Sequence, residues 1–152
     1  MSLWLQWLPL GLLLPIVWYC AYVDIQTHKI PNKITYPAIV FFGIFQILLQ
    51  PNKISVLIGL GAGFLFFFLP AIFLGSKAIG MGDAKLGALM GVVLGWPAIL
   101  VALAISQVSA LLFVTPMLLT RRMTLKSKLP LGPFLALGYT LTLIWGLFLA
   151  RY

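Results

Sequence analysis

Uncharged runs separated by short basic loops dominate this chain and decide what it can fold into. The first run extends from Leu3 to Val23 without a charged side chain, and a helix needs about 20 apolar residues to cross a bilayer. Hydrophobic residues make up 62% of the chain and charged residues only 8%. A soluble domain carries about 25% charged residues. The sequence therefore predicts a membrane protein with several spans.

The runs predict an all-α fold, a polytopic membrane helix bundle with about six transmembrane helices in a single domain over residues 1–152. The predicted helices are Leu3–Val23, Pro37–Leu49, Ile54–Leu74, Asp83–Gly95, Pro97–Leu119 and Leu131–Ala150. Residues 25–36 are predicted to be a loop, because Pro31 and Pro37 limit helix formation there. A turn is predicted at residues 95–97, since the apolar run would otherwise be far longer than a bilayer is thick.

The second and fourth helices are predicted to be short. A helix from Asp83 to Gly95 would be about 20 Å long at about 1.5 Å per residue, whereas the hydrocarbon core of a bilayer is about 30 Å thick. Short helices of this kind would leave a shallow polar site near one membrane surface, within reach of both water and lipid.

Basic residues are distributed unequally between the two sets of loops. One set contains Lys29, Lys33, Lys77, Lys85, Arg121, Arg122, Lys126 and Lys128, and the other contains Lys53 and Arg151. Cytoplasmic loops carry the excess of Lys and Arg in membrane proteins. The distribution predicts that the first set is cytoplasmic and that both termini lie outside.

Asp24 and Asp83 are the only two acidic residues of the chain. Both are predicted to lie at the cytoplasmic edge of an apolar span, and an ionisable residue in that setting indicates a functional site. Two carboxyl groups with no other obvious nucleophile suggest a pair that shares one proton. Structural alternatives remain, because Asp83 could cap a helix and Asp24 could pair with Lys29 or Lys85.

Glycines recur every four residues after Asp83, at Gly87, Gly91 and Gly95. Residues at this spacing lie on one face of a helix. A face with so little side-chain bulk is expected to press against another helix and to carry Asp83 into the bundle. Gly59 and Gly63 form a GxxxG pair that also permits close helix packing.

Several other kinds of site are excluded or disfavoured by composition. Cys20 is the only cysteine and His28 the only histidine, so no histidine-based metal cluster or CxxC zinc pattern is possible. No metal and no cofactor are expected. The net charge of +8 sits in loops between apolar spans, which favours contact with anionic lipid of the bilayer over binding of nucleic acid.

Three segments resemble the type IV prepilin peptidases, which are GxGD membrane aspartyl proteases. Residues 24–32 read DIQTHKIPN, residues 80–86 read GMGDAKL and residues 128–136 read KLPLGPFLA. They are similar to the first-aspartate segment, the GxGD segment and the late Pro-x-Gly-Pro-Phe segment of that family. The long bacterial members carry an N-terminal extension with a cysteine tetrad, so this chain resembles a minimal form and N-methyltransferase activity is not carried over from the resemblance.

The resemblance implies an endopeptidase that cleaves the leader peptide of prepilin-like precursors at the cytoplasmic edge of the cytoplasmic membrane. Asp24 and Asp83 would be the catalytic pair, and neither can be assigned as acid or base from sequence. Gly80 and Gly82 would let the active-site loop turn tightly and approach substrate. Lys85 could tune the pair or hold a substrate carbonyl, or it could only extend to the membrane surface.

Two other functions stay open on the sequence. A small proton-coupled transporter also uses intramembrane acids, although such sites usually lie at mid-membrane on broken helices of paired repeats. Another GxGD protease of the signal peptide peptidase type would have Tyr before its first Asp and a late Pro-Ala-Leu segment. Here Val23 precedes Asp24, and residues 130–133 read PLGP. A purely structural membrane subunit is the third alternative.

Overall fold

The computed structural model describes residues 3–74, 80–121 and 129–149, which form six helices. The helices are α1 (Leu3–Thr27), α2 (Asn32–Leu49), α3 (Lys53–Leu74), α4 (Met81–Leu94), α5 (Ala98–Leu119) and α6 (Gly132–Leu149). The prediction of an all-α bundle is confirmed. The predicted loop positions Ser76 and Lys77, the basic stretch 122–128 and the predicted end of the last helix at Ala150 lie outside the described residues.

Large apolar side chains cover the outside of the bundle. Leu48 is 76% exposed, Phe73 84% and Leu119 79%, and in water this much apolar surface would be unfavourable by about 25 cal/mol per Å². Four helices, α1, α2, α3 and α5, are long and apolar enough to cross a membrane. The chain is therefore a multi-pass membrane protein whose exposed apolar side chains face lipid.

The connection between α1 and α2 is much shorter than predicted. The loop expected over residues 25–36 is wrong, because α1 continues to Thr27 and α2 begins at Asn32. Pro31 immediately precedes α2, with an extended backbone, and Pro37 lies inside it. Pro37 is the sixth residue of α2, so it removes the hydrogen bond that an N–H at this position would donate to the backbone oxygen of Lys33, and the helix continues through it. The prediction that α2 is short is also wrong, since it has 18 residues.

Helix α4 lies at the centre of the bundle and packs most extensively against α3. A Cβ atom added at Gly87 or Gly91 would overlap the backbone of Gly63 or Gly59 on α3. The predicted glycine face and the GxxxG contact are therefore confirmed as one interface in which two helix backbones touch. The short length predicted for this helix is confirmed as well, since α4 has 14 residues.

The predicted turn after α4 is confirmed and is fastened to α3. Gly95 follows the helix with φ of 69°, a left-handed conformation that favours glycine. The backbone N–H of Trp96 lies 2.9 Å from Ser55 Oγ, and Ser55 Oγ donates a 2.7 Å hydrogen bond to Trp96 O. These contacts attach the C-terminal end of α4 to α3. Asp83 lies at the opposite end of α4.

Candidate active site

Asp24 lies in the last turn of α1 and is only 5% exposed. Its Oδ2 atom accepts a 2.9 Å hydrogen bond from the backbone N–H of Gly132. Gly132 is the first residue of α6, and the first N–H groups of a helix have no partner within the helix. The carboxyl group therefore meets a donor at the positive end of a helix, where a negative charge is favoured.

Asp83 lies in the first turn of α4 and is 8% exposed. Gly80 occupies the N-cap position, so the alternative that Asp83 itself is the N-cap is wrong. The Asp83 carboxyl accepts a hydrogen bond from the backbone N–H of Gly80, as an acidic side chain does from the third helical position in a capping box. Asp83 thus stabilises the start of α4 while its carboxyl group stays inside the bundle.

The structure brings the two aspartates to the same end of the bundle. Helix α1 packs against both α4 and α6, and the carboxyl group of Asp24 is near enough for its negative charge to disfavour ionisation of Asp83. The segments beside them also touch, since a Cβ atom added at Gly82 would lie 2.9 Å from Ile30 Cβ. Two buried carboxyl groups in this relationship cannot easily both ionise, so the arrangement can hold one shared proton.

The two glycines of the predicted active-site loop have different surroundings. Gly80 is exposed and has φ of −69° and ψ of 130°, an extended conformation open to any residue. Its observed contribution is therefore the N–H donated to Asp83 and not an unusual turn. Gly82 is needed for the close approach of Ile30 described above, which joins the segment after Asp24 to the start of α4.

The ammonium group of Lys85 contacts two uncharged side chains. Its Nζ atom donates a 2.9 Å hydrogen bond to Asn32 Oδ1 and lies 4.6 Å from the centre of the Tyr36 ring. In the described part of the chain, neither Lys29 nor Lys85 forms an ion pair with Asp24. The salt-bridge alternative for Asp24 is therefore wrong. The ammonium group of Lys85 is instead stabilised by an amide oxygen and by the face of an aromatic ring.

His28 and Cys20 lie near Asp24 without bonding its carboxyl. The exposed His28 has φ of 51° and donates its backbone N–H to the backbone oxygen of Asp24 at 2.8 Å, which closes α1. Cys20 is one turn earlier on α1 and is fully buried. Within residues 3–74, 80–121 and 129–149 there is no group of three His, Cys, Asp or Glu side chains that could hold a metal ion.

Sequence reasoning assigned no role to Gly132, Asn32 or Tyr36. Gly132 and Asn32 both lie in segments that carried the family resemblance, and this was the available signal. The partners themselves could not be inferred, because Gly132 is 108 positions from Asp24 and Asn32 is 53 positions from Lys85. Contacts at such separations depend on how the helices pack.

Comparison with known proteins identifies a family for this chain. Residues 11–115 match the type IV leader peptidase family. The chain is 28% identical over 136 residues to the prepilin leader peptidase/N-methyltransferase of Aeromonas salmonicida, a match that covers 86% of this chain and 47% of that protein. No solved structure shows a significant match.

Two further relatives carry the same name. The Burkholderia pseudomallei protein is 33% identical over 134 residues, which cover 82% of this chain and 42% of the relative. The Bacillus subtilis protein is 30% identical over 143 residues, which cover 93% of this chain and 57% of the relative. The chain thus spans about half the length of the curated relatives it matches. Because the family match includes both Asp24 and Asp83 and most of the helices, this chain belongs to the type IV leader peptidase family.

Proposed function

We propose that this chain is a membrane aspartyl endopeptidase that removes the leader peptide of prepilin-like precursors. Asp24 and Asp83 are the catalytic pair in this proposal. The family favours leader cleavage over the transporter, the signal-peptide-peptidase type and the structural subunit considered from sequence. The N-methyltransferase activity that the relatives' names also carry is not part of the proposal.

The observation that carries the proposal is how the only two acids are held. Both are buried at one end of the bundle, and each accepts a backbone N–H, from Gly132 for Asp24 and from Gly80 for Asp83. A lysine paired with either carboxyl would favour ionisation of both groups. Backbone donors fix the carboxyl groups without adding a full positive charge, so the pair can keep the single proton that aspartyl hydrolysis requires.

The proposed reaction uses the pair as base and acid together. The ionised carboxyl takes a proton from a water molecule, whose oxygen bonds to the scissile carbonyl carbon. The protonated carboxyl gives its proton to the carbonyl oxygen, so that a neutral tetrahedral diol forms. The pair then gives its proton to the nitrogen as the C–N bond breaks. At the same time one hydroxyl of the diol returns its proton to the pair. The products are a carboxylic acid and an amine, and the pair again holds one proton.

The site is proposed to face the cytoplasm. Lys33 and Lys85 lie near the starts of α2 and α4 and Arg121 follows α5, whereas Lys53 begins α3. This distribution follows the preference of cytoplasmic loops for Lys and Arg, and it supports an orientation with both termini outside. A precursor with an apolar segment in the membrane and a basic leader in the cytoplasm would then present its scissile bond at the depth of the aspartates.

The proposal is tested by cleavage in a defined membrane. The purified protein is reconstituted in vesicles with a prepilin-like precursor, and mass spectrometry identifies the products and the position of the cut. Asp24→Asn and Asp83→Asn are each expected to abolish cleavage while the variants remain folded and inserted. A single cut between leader and apolar segment supports the proposal. Near-normal turnover by either variant would falsify the catalytic pair.

A further inference from the structure

Gly132 lies unusually close to Asp24 for two residues on different helices. Gly132 is buried, and a Cβ atom placed on it would lie 3.0 Å from both Cβ and Oδ2 of Asp24 and 3.1 Å from the Cα of Ala21. These separations are shorter than ordinary van der Waals contact between carbon atoms. A side chain at position 132 would therefore force Asp24 or the first turn of α6 to shift by a few tenths of an ångström, which would disturb the 2.9 Å hydrogen bond.

We infer that Gly132 is a positioning residue for the reaction: its backbone N–H fixes the orientation of the Asp24 carboxyl, and its lack of a side chain makes room for that contact. The inference rests on the proposed function, because it assigns Asp24 to the catalytic pair. The atoms nearest to a Cβ added at Gly132 belong to Asp24 and Ala21 of α1, so Gly132 is inferred to act through Asp24 and not on substrate.

The hydrogen bond leaves one edge of the carboxyl group for chemistry. A carboxylate has two oxygens, and a donor on one oxygen restricts rotation about the Cβ–Cγ bond. With one lone pair of Oδ2 engaged by Gly132, Oδ1 has both of its lone pairs free of this contact and is the better placed oxygen for water or for the shared proton. Reacting groups held in the correct orientation gain large factors in rate, and misplacement by about 1 Å can cost about 100-fold.

The same hydrogen bond could instead serve stability alone. Leu131 precedes α6, and a leucine side chain cannot accept a hydrogen bond, so Asp24 satisfies a donor at the start of α6 that would otherwise lack a partner. A cap of this kind would affect unfolding without changing the rate of a folded enzyme. Catalytic turnover and folding must therefore be measured separately.

The experiment compares Gly132→Ala with Gly43→Ala in reconstituted vesicles. Gly43 is a matched control on α2, because a Cβ atom added there meets nothing within 4 Å. Gly132→Ala is expected to lower kcat by about 10- to 100-fold, with KM for the precursor changed by less than about twofold, since it misplaces a catalytic group without removing substrate contacts. Gly43→Ala is expected to keep both constants.

A second variant separates the hydrogen bond from the added bulk. Replacing Gly132 by glycolic acid substitutes an ester oxygen for the N–H and adds no side chain, so it remains informative if Gly132→Ala does not fold. We expect this ester to lower kcat about 10-fold or more in a folded enzyme. Normal kcat in the folded ester variant overturns the inference, as does an equal loss in Gly43→Ala.

The two proposals fail in different ways. If Asp24→Asn retains cleavage, the catalytic pair is wrong and Gly132 has no catalytic group to position. If Asp24→Asn and Asp83→Asn abolish cleavage while both Gly132 variants turn over normally, the catalytic pair stands and the positioning role of Gly132 is overturned.

Discussion

Lys85 Nζ donates a 2.9 Å hydrogen bond to Asn32 Oδ1, which joins the first turns of α4 and α2. The connection between α1 and α2 lies directly before Asn32, and Ile30 in that connection packs against Gly82. The bond therefore helps to hold the segment that follows Asp24 against the helix that carries Asp83. We expect Lys85 to contribute to the proposed site through this contact, since its ammonium group meets Asn32 and Tyr36.

Lys85→Met and Asn32→Leu are expected to lower cleavage by less than about tenfold each. A half-exposed hydrogen bond of this kind contributes about 0.5–1 kcal/mol to the free energy of unfolding. Replacing either residue alone already removes the contact, so replacing both removes nothing more. The double variant should therefore be less destabilised than the sum of the single variants, which a double-mutant cycle of thermal unfolding in detergent measures. If Lys85→Met abolished cleavage in a stable protein while Asn32→Leu did not, Lys85 would contact substrate directly.

The pH dependence of kcat is expected to be bell-shaped, because the proposed aspartate pair would work with one shared proton. At low pH both carboxyl groups are protonated and no base remains, so kcat falls about tenfold per pH unit on the acidic limb. At high pH both are ionised and no acid remains, so kcat falls on the basic limb. The two limbs describe the pair and not a single residue. Steady-state cleavage in vesicles across the pH range measures the profile, and kcat that is independent of pH would contradict a shared proton.

Gly91→Ala and Gly87→Ala are expected to destabilise the bundle by about 1–3 kcal/mol each, the usual cost of extra bulk in a well-packed interior. The added methyl groups would overlap the backbone of Gly59 and Gly63, and flexible side chains cannot relieve that contact. Gly61→Ala is the control, because it lies on the same helix as Gly59 and Gly63 and its added Cβ meets nothing within 4 Å. Thermal unfolding in detergent distinguishes the variants. Equal stability of Gly91→Ala and Gly61→Ala would show that α3 and α4 are not in backbone contact.

Cysteines at position 27 and position 52 are expected to label from opposite sides of the membrane in a Cys20→Ala background. Thr27 and Asn52 are both exposed, and they lie at the two ends of α2. Cysteines at positions 27 and 76 should react from the cytoplasmic side. A cysteine at position 52 should react from outside. Membrane-impermeant maleimide applied to oriented vesicles makes the measurement. Labelling of position 27 from outside would invert the proposed orientation.

Much of the bundle was determined by local sequence. Apolar runs such as Leu3–Val23 predict spans because each residue's transfer from water to lipid depends mainly on its own side chain. The glycine spacing from Asp83 to Gly95 predicted the helix interface for a similar reason, since positions four apart share a face in any helix. The two aspartates were also singled out from sequence, because they are the only acids of the chain, and their catalytic role stays a prediction.

Helix ends near prolines required the structure. Pro37 suggested a helix start, whereas α2 begins five residues earlier at Asn32 and α1 extends beyond Asp24 to Thr27. A proline beyond the first turn of a helix is unfavourable, but the packing of α2 against α4 and α1 outweighs that local preference. The short connection between α1 and α2 places Ile30 against Gly82, and this contact joins the segment after Asp24 to the start of α4.

The partners of the functional groups were decided by tertiary structure alone. From sequence, Asp24 had two lysines as candidate partners, but its carboxyl meets the N–H of Gly132. Lys85 was a candidate for contact with the aspartates, but it meets Asn32. Hydrophobicity and helical period specify which residues enter the membrane and which share a face. They do not specify the positions and rotations of the helices relative to one another, and hydrogen bonds of about 3 Å between distant segments depend on those alone.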